Sequence, residues 1–154
     1  MFTTPARLFR VLAIAEAITW TLLIGALIGR ATGLSPLLVT IAGSIHGFVF
    51  LSYGATAVLL AFHQRWGVGV AILAIASAIV PYATIPAEIG LHRTGRLAGT
   101  WRLEQTDDPR DGAWYDRTMR WFLRRPWVLA VLILAAVIAI FAVLLMVGPP
   151  GGKH

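Results

Sequence analysis

The chain is 154 residues long, 58% hydrophobic and 13% charged, with a net charge of +6 and no cysteine. A soluble domain is about a quarter charged, so this balance, with a mean hydropathy of +0.77, excludes an ordinary water-soluble domain and predicts a membrane protein. The missing cysteines exclude disulfides, thiolate metal sites and cysteine nucleophiles. The excess arginines lie beside apolar stretches, as membrane topology demands, so no nucleic-acid partner is expected.

Four apolar stretches are each long enough for a spanning helix, which needs about 20 residues. The first runs from about Leu8 to Ile28. Arg7 and Arg10 stand at its start, but Glu16 interrupts the run and no small-x-small cleavage site follows, so it reads as a retained helix rather than a signal peptide. A turn with Gly33, Ser35 and Pro36 leads into the second stretch, about Leu37 to Phe62. Gly43, Gly47 and Gly54 share one helix face there by their spacing, and are predicted to let a neighbouring helix come close.

His63 to Trp66 make a tight turn. The third stretch, Gly67 to about Gly90, contains Pro81 and Pro86. A helix ending at Pro81 would be too short to span, so a bent but continuous helix to about Glu88 is predicted, with Glu88 near the membrane surface. Residues 92–126 form the one sizeable polar segment. Its first half reads as a loop. Its second half reads as an interfacial amphipathic helix, with Trp114, Thr118, Trp121, Phe122 and Arg125 on one face and Asp116, Arg117, Arg120 and Arg124 elsewhere. Pro126 separates it from the fourth stretch, Trp127 to Val147, and the tail 148–154 is expected to be disordered.

The predicted fold is therefore all-α: a bundle of four transmembrane helices plus one interfacial amphipathic helix. It divides into a three-helix membrane domain (7–91), the polar segment (92–126), the fourth helix (127–147) and the tail. Four crossings would put both termini and the 63–66 turn on one side. The polar segment and Arg30 would lie on the other. The arginines of the polar segment then place it in the cytoplasm, although Arg7 and Arg10 pull the other way.

Glu16 and His46 are the two ionisable residues in the middle of apolar stretches, where such groups are rare. Antiparallel helices joined by a short turn bring them to similar depth, with Thr19, Ser44 or Tyr53 as neighbours. The pair reads as a structural hydrogen bond locking two helices, or as a site for protons or a cation. Haem ligation by His46 would need a second ligand from elsewhere, and no metal site or cofactor is expected. No GxSxG, HExxH or P-loop is present, so no enzyme is predicted.

Phe9-Arg10 through Glu16, then Gly43-Ser44-Ile45-His46-Gly47, Tyr53, Trp66 and Val80-Pro81-Tyr82 together resemble a family of small bacterial integral membrane proteins, domain of unknown function 3817. The resemblance covers about residues 7 to 93. Members often have Glu-Gly where this chain has Glu16-Ala17, and Pro-Phe-Gly where it has Pro81-Tyr82-Ala83. The polar segment and fourth helix look like an added extension. The resemblance implies a bacterial inner membrane and Arg10, Glu16 and His46 as the residues to test; it implies no activity. The expected function is that of a non-enzymatic accessory or structural subunit, its partners the lipid bilayer and either another membrane protein or a second copy. The alternative is a small proton- or cation-coupled transporter or channel built on Glu16 and His46.

Overall fold

The computed structural model describes residues 4–104 and 112–147. They form six helices: α1 (Pro5–Ala31), α2 (Pro36–His63), α3 (Val68–Ala76), α4 (Thr84–Arg93), α5 (Trp114–Arg124) and α6 (Pro126–Val147). The all-α expectation holds, with no strand among the described residues. The disorder expected of the tail 148–154, and the loop expected over 105–111, lie outside the described residues.

Each long helix begins on a proline: Pro5, Pro36 and Pro126. Proline suits the first helical position because its missing N–H has no partner there anyway and its φ is already helical. Thr4 and Ser35 cap α1 and α2 by accepting from the amides of Arg7 and Leu37. Gly33 (φ 98°) ends α1 in the left-handed region and turns the chain into α2. With 27 and 28 residues, α1 and α2 are about 40 Å long. They pack antiparallel along each other.

The third apolar stretch is not one bent helix. It breaks into α3 of nine residues and α4 of ten, each no more than about 15 Å long, joined by a turn over 77–83. Pro81 lies in that turn. Tyr82, at its tip, takes a positive φ of 64°. Pro86 occupies the first turn of α4, where a missing N–H breaks no helical bond. The proline read as a kink is thus part of a helix start.

The two short helices make a hairpin that returns to the end it came from. α3 packs on α2 and α4 packs on α1. The turn meets α1 at Trp20 and Thr21: Trp20 Nε1 donates to the Ala78 carbonyl at 3.3 Å, and the Thr21 and Tyr82 hydroxyls lie 3.3 Å apart. From there α4 runs back toward the N-terminus of α1, through Thr84 against Ala13 to Glu88 against Arg10. The buried core sits within this half of the bundle, around Phe9, Tyr53, Ala57, Leu60, Ala78 and Leu91. Beyond the turn, α1 and α2 continue as a bare pair, with Leu22, Leu27, Ile28, Leu34, Leu37, Leu38 and Ile41 exposed.

The hairpin overturns the expected placement of the polar segment. Gln64 Nε2 donates to the Ala98 carbonyl (3.1 Å), Trp66 Nε1 to the Arg96 carbonyl (2.9 Å), and the Arg102 amide to His63 Nε2 (2.9 Å). Residues 94–102 therefore lie against the 63–66 turn, not at the opposite end with Arg30. α5 follows them: Arg65 bonds Asp116 at 2.8 Å, and Arg124 bonds the Leu103 carbonyl. Asp116, expected on the outer face with the arginines, is buried. Trp114 and Trp121 are exposed. α6 then starts at this same end and packs on α2.

Candidate functional site

Glu16 is fully buried on the face of α1 that meets α2, and His46 projects from α2 beside it. His46 Nδ1 stands 3.8 Å from Glu16 Oε2, too far for a direct hydrogen bond. The group between them is Thr19. Its hydroxyl donates to the Glu16 carbonyl, one turn back, at 3.0 Å and lies 3.1 Å from His46 Nδ1. With its one hydrogen committed to the carbonyl, Thr19 accepts, so the hydrogen of that contact sits on His46 Nδ1; this tautomer follows from the bonding pattern. Both Glu16 carboxyl oxygens are enclosed and meet no hydrogen-bond donor among the described residues.

Aromatic rings hold the imidazole in place. Trp20 lies tilted on it with centroids 4.5 Å apart, and Phe50 flanks it at 6.2 Å. Because the Trp20 indole also holds the Ala78 carbonyl, one side chain ties His46 to the tip of the hairpin.

Arg10 does not join this pair. Its Nε donates to Glu88 Oε1 at 2.9 Å, closing α4 onto α1. Glu88, expected at the membrane surface, is nearly buried, with a side chain 7% exposed. Tyr53 is fully buried, its ring tilted on Phe9 with centroids 5.0 Å apart. Its hydroxyl is 3.0 Å from Ser77 Oγ. Ser44, considered as a neighbour of the pair, bonds its own helix at Thr40 instead. Thr84, Ser77 and the anchoring role of Trp20 were not singled out from the sequence, and Glu88 was read there only as a charge near the membrane surface. Their common signal is a polar or indole group within an apolar run, which sequence assigns to no particular partner.

The glycine face also resolves differently. A Cβ at Gly43 would touch Leu23 at an ordinary 3.9 Å, and one at Gly54 would meet nothing within 4 Å. Among the described residues no helix comes close enough to force glycine at either position, and Gly47 sits half-buried between them. Gly54 instead borders an apolar groove of about 420 Å³ between α2, α3 and α6, floored by Phe50, Ala78 and Val137. Among the described residues, no three His, Cys, Asp or Glu side chains converge as a metal site.

The family comparison follows this architecture. The model of the family described as Domain of unknown function (DUF3817) matches residues 6–93, which is α1 through α4. The chain belongs to the DUF3817 family. The match ends with the hairpin, so the family unit contains Arg10, Glu16, His46 and Glu88, while α5 and α6 lie outside it. A Streptomyces coelicolor relative named "Putative membrane protein SCO5905" is 40% identical over 93 residues, 59% of this chain but 11% of that protein. The DUF3817 chain thus spans about a tenth of the relative it matches. No solved structure matches.

Proposed function

We propose that this DUF3817 protein is a non-catalytic membrane module that works packed against other membrane-protein segments. The observation that carries this reading is the bare outer half of α1 and α2. Past Thr21 no third helix of the described chain covers them, and Leu22, Leu27, Ile28, Leu37, Leu38 and Ile41 are exposed there. Such a surface belongs against lipid or against further apolar helices. The Streptomyces relative, in which the matching region is a small part of a much longer protein, supports the second of these.

In this proposal α1, α2 and α6 cross the bilayer and α3–α4 is a re-entrant hairpin. Irregular backbone at membrane depth is tolerated where its polar groups are satisfied. In the 77–83 turn Ser77 and Ala78 are buried and the amides of Ser77, Ala78, Ile79 and Ala83 bond locally, while Ile79, Val80 and Tyr82 are exposed. The charge distribution supports one orientation. Arg7, Arg10, Arg65, Arg93, Arg96, Arg102, Arg117, Arg120, Arg124 and Arg125 all belong to one end of the bundle, and Arg30 to the other. The positive-inside rule puts the arginine-rich end in the cytoplasm. The conflict between Arg7, Arg10 and the polar segment disappears, because all are on one side.

The test is purification from native expression in mild detergent. The chain is expected to migrate in a larger complex with a second membrane protein. Gly25 is exposed on α1 with open space where a Cβ would stand, so Gly25→Leu should leave the fold intact and strip the partner away. Recovery of the wild-type chain alone would refute the proposal and favour a self-contained transporter using Glu16 and His46.

A further inference from the structure

The interior of the bundle contains a carboxyl group that the chain itself does not complete. Both Glu16 oxygens are enclosed without a donor, whereas the other buried acids among the described residues, Glu88 and Asp116, each face an arginine. A bare carboxylate in an apolar interior is strongly disfavoured, and a proton on it removes the charge. His46, whose Nδ1 stands 3.8 Å away and already carries a hydrogen toward Thr19, can take the same proton on Nε2.

Counting charge fixes the number of protons. With none on the pair, Glu16 is anionic and His46 neutral, a net −1 in an apolar interior. With two, Glu16 is neutral and His46 cationic, a net +1. One proton leaves the pair neutral overall, whether it rests on the carboxyl or on the imidazole, and no net charge is then buried. A metal cation fits the same place less well. Thr19 already commits its hydrogen to the Glu16 carbonyl and accepts from His46, which leaves one carboxylate and no further oxygen ligand to complete a coordination shell.

We infer that Glu16 and His46 form a proton-binding site that shares one proton, carried either on the Glu16 carboxyl or on His46 Nε2. The inference goes beyond the accessory reading and does not depend on it. Tyr53, on α2, gives its hydrogen to Ser77, whose own goes to the Ala74 carbonyl at 2.7 Å. The other groups facing the site are few. Arg10, on α1, is held by Glu88 of α4; His63 lies farther along α2, against Arg102; Tyr82, in the turn, meets Thr21. α3 and α6 carry no charged residue.

Infrared spectroscopy of the full chain in lipid nanodiscs, labelled with carbon-13 glutamate, tests this. We expect a carbonyl band from a buried carboxylic acid that disappears in Glu16→Gln. Its titration midpoint should move by more than about one pH unit in His46→Gln. Should Glu16→Gln misfold, the labelled wild type and His46→Gln still give the decisive comparison. A band indifferent to His46, or no buried acid band at any pH, overturns the shared site. Sodium at constant pH moving the band as strongly as pH does would make it a cation site instead.

Discussion

Thr84, in the first turn of α4, gives its hydroxyl hydrogen to the Ala13 carbonyl at 3.0 Å, inside a core where Thr84 is fully buried. This contact fixes the direction of α4. It sets the start of a helix against the middle of α1, so that the rest of α4 must run back toward Arg10. Ala13 is within an unbroken α-helix, so its carbonyl keeps its helical partner if the hydroxyl is removed.

Thr84→Val, which keeps the shape, should therefore lower stability by about 1 kcal/mol, and Thr84→Ser should restore most of it. Thermal unfolding in detergent checks this. Equal melting of wild type and Thr84→Val would mean that the hairpin is held without that bond.

The Arg10–Glu88 pair closes the open end of the same hairpin. Arg10 is half exposed and Glu88 is not, so the two substitutions are unequal. Arg10→Gln strands a nearly buried carboxylate and should destabilise more than Glu88→Gln, which leaves arginine free to reach water. A double-mutant cycle should return a coupling of no more than about 1 kcal/mol, because solvent screens one partner. Amide hydrogen exchange over α4 should speed up in Arg10→Gln and change less elsewhere.

Much of the helical layout was legible in the sequence because apolar runs, prolines and caps act locally. Pro5, Pro36 and Pro126 start their helices where an N-terminal proline belongs, and α5 ends just before Pro126. The nearness of Glu16 and His46 followed from one short turn between antiparallel helices. The third stretch did not read correctly because its length fits either one crossing or two half-depth legs. Hydropathy does not distinguish them; the deciding contacts, Thr84 to Ala13 and Arg10 to Glu88, join residues more than seventy positions apart. Reading that stretch as one continuous helix then put everything after it at the wrong end of the bundle, including Asp116, whose partner Arg65 was placed at the far end.

His63 holds the segment after the hairpin. Its Nε2 accepts from the Arg102 amide at 2.9 Å, its carbonyl accepts from the Arg102 guanidinium, and its ring meets Trp101 edge-on at 5.0 Å. His63→Phe should keep the ring contact and lose the acceptor, at about 1–3 kcal/mol for an unpaired amide. Exchange should accelerate around residues 96–102 while α1 stays protected. His63→Gln, which can still accept, should fall between the two.

Asp116 tethers α5. It is buried, bonds Arg65 at 2.8 Å and has Arg102 at 3.7 Å. Asp116→Asn should weaken the docking of α5 by about 2 kcal/mol, as expected for the loss of a charge-assisted bond. Amide exchange over residues 114–124 should rise, with the hairpin unaffected. Uniform loosening of the whole chain would mean that α5 supports the core rather than resting on it.

The return of the α3–α4 hairpin to its starting end is the relationship on which the site, the arginine asymmetry and the orientation all rest. The chain has no cysteine, so single cysteines at Thr32, Gly67 and Ala98, all exposed, can be labelled in intact cells and in inverted vesicles with a membrane-impermeant maleimide. Gly67→Cys and Ala98→Cys should react together, in inverted vesicles, and Thr32→Cys in intact cells. Ala98→Cys reacting on the same side as Thr32→Cys would mean that the third stretch crosses the membrane, and the account would be wrong.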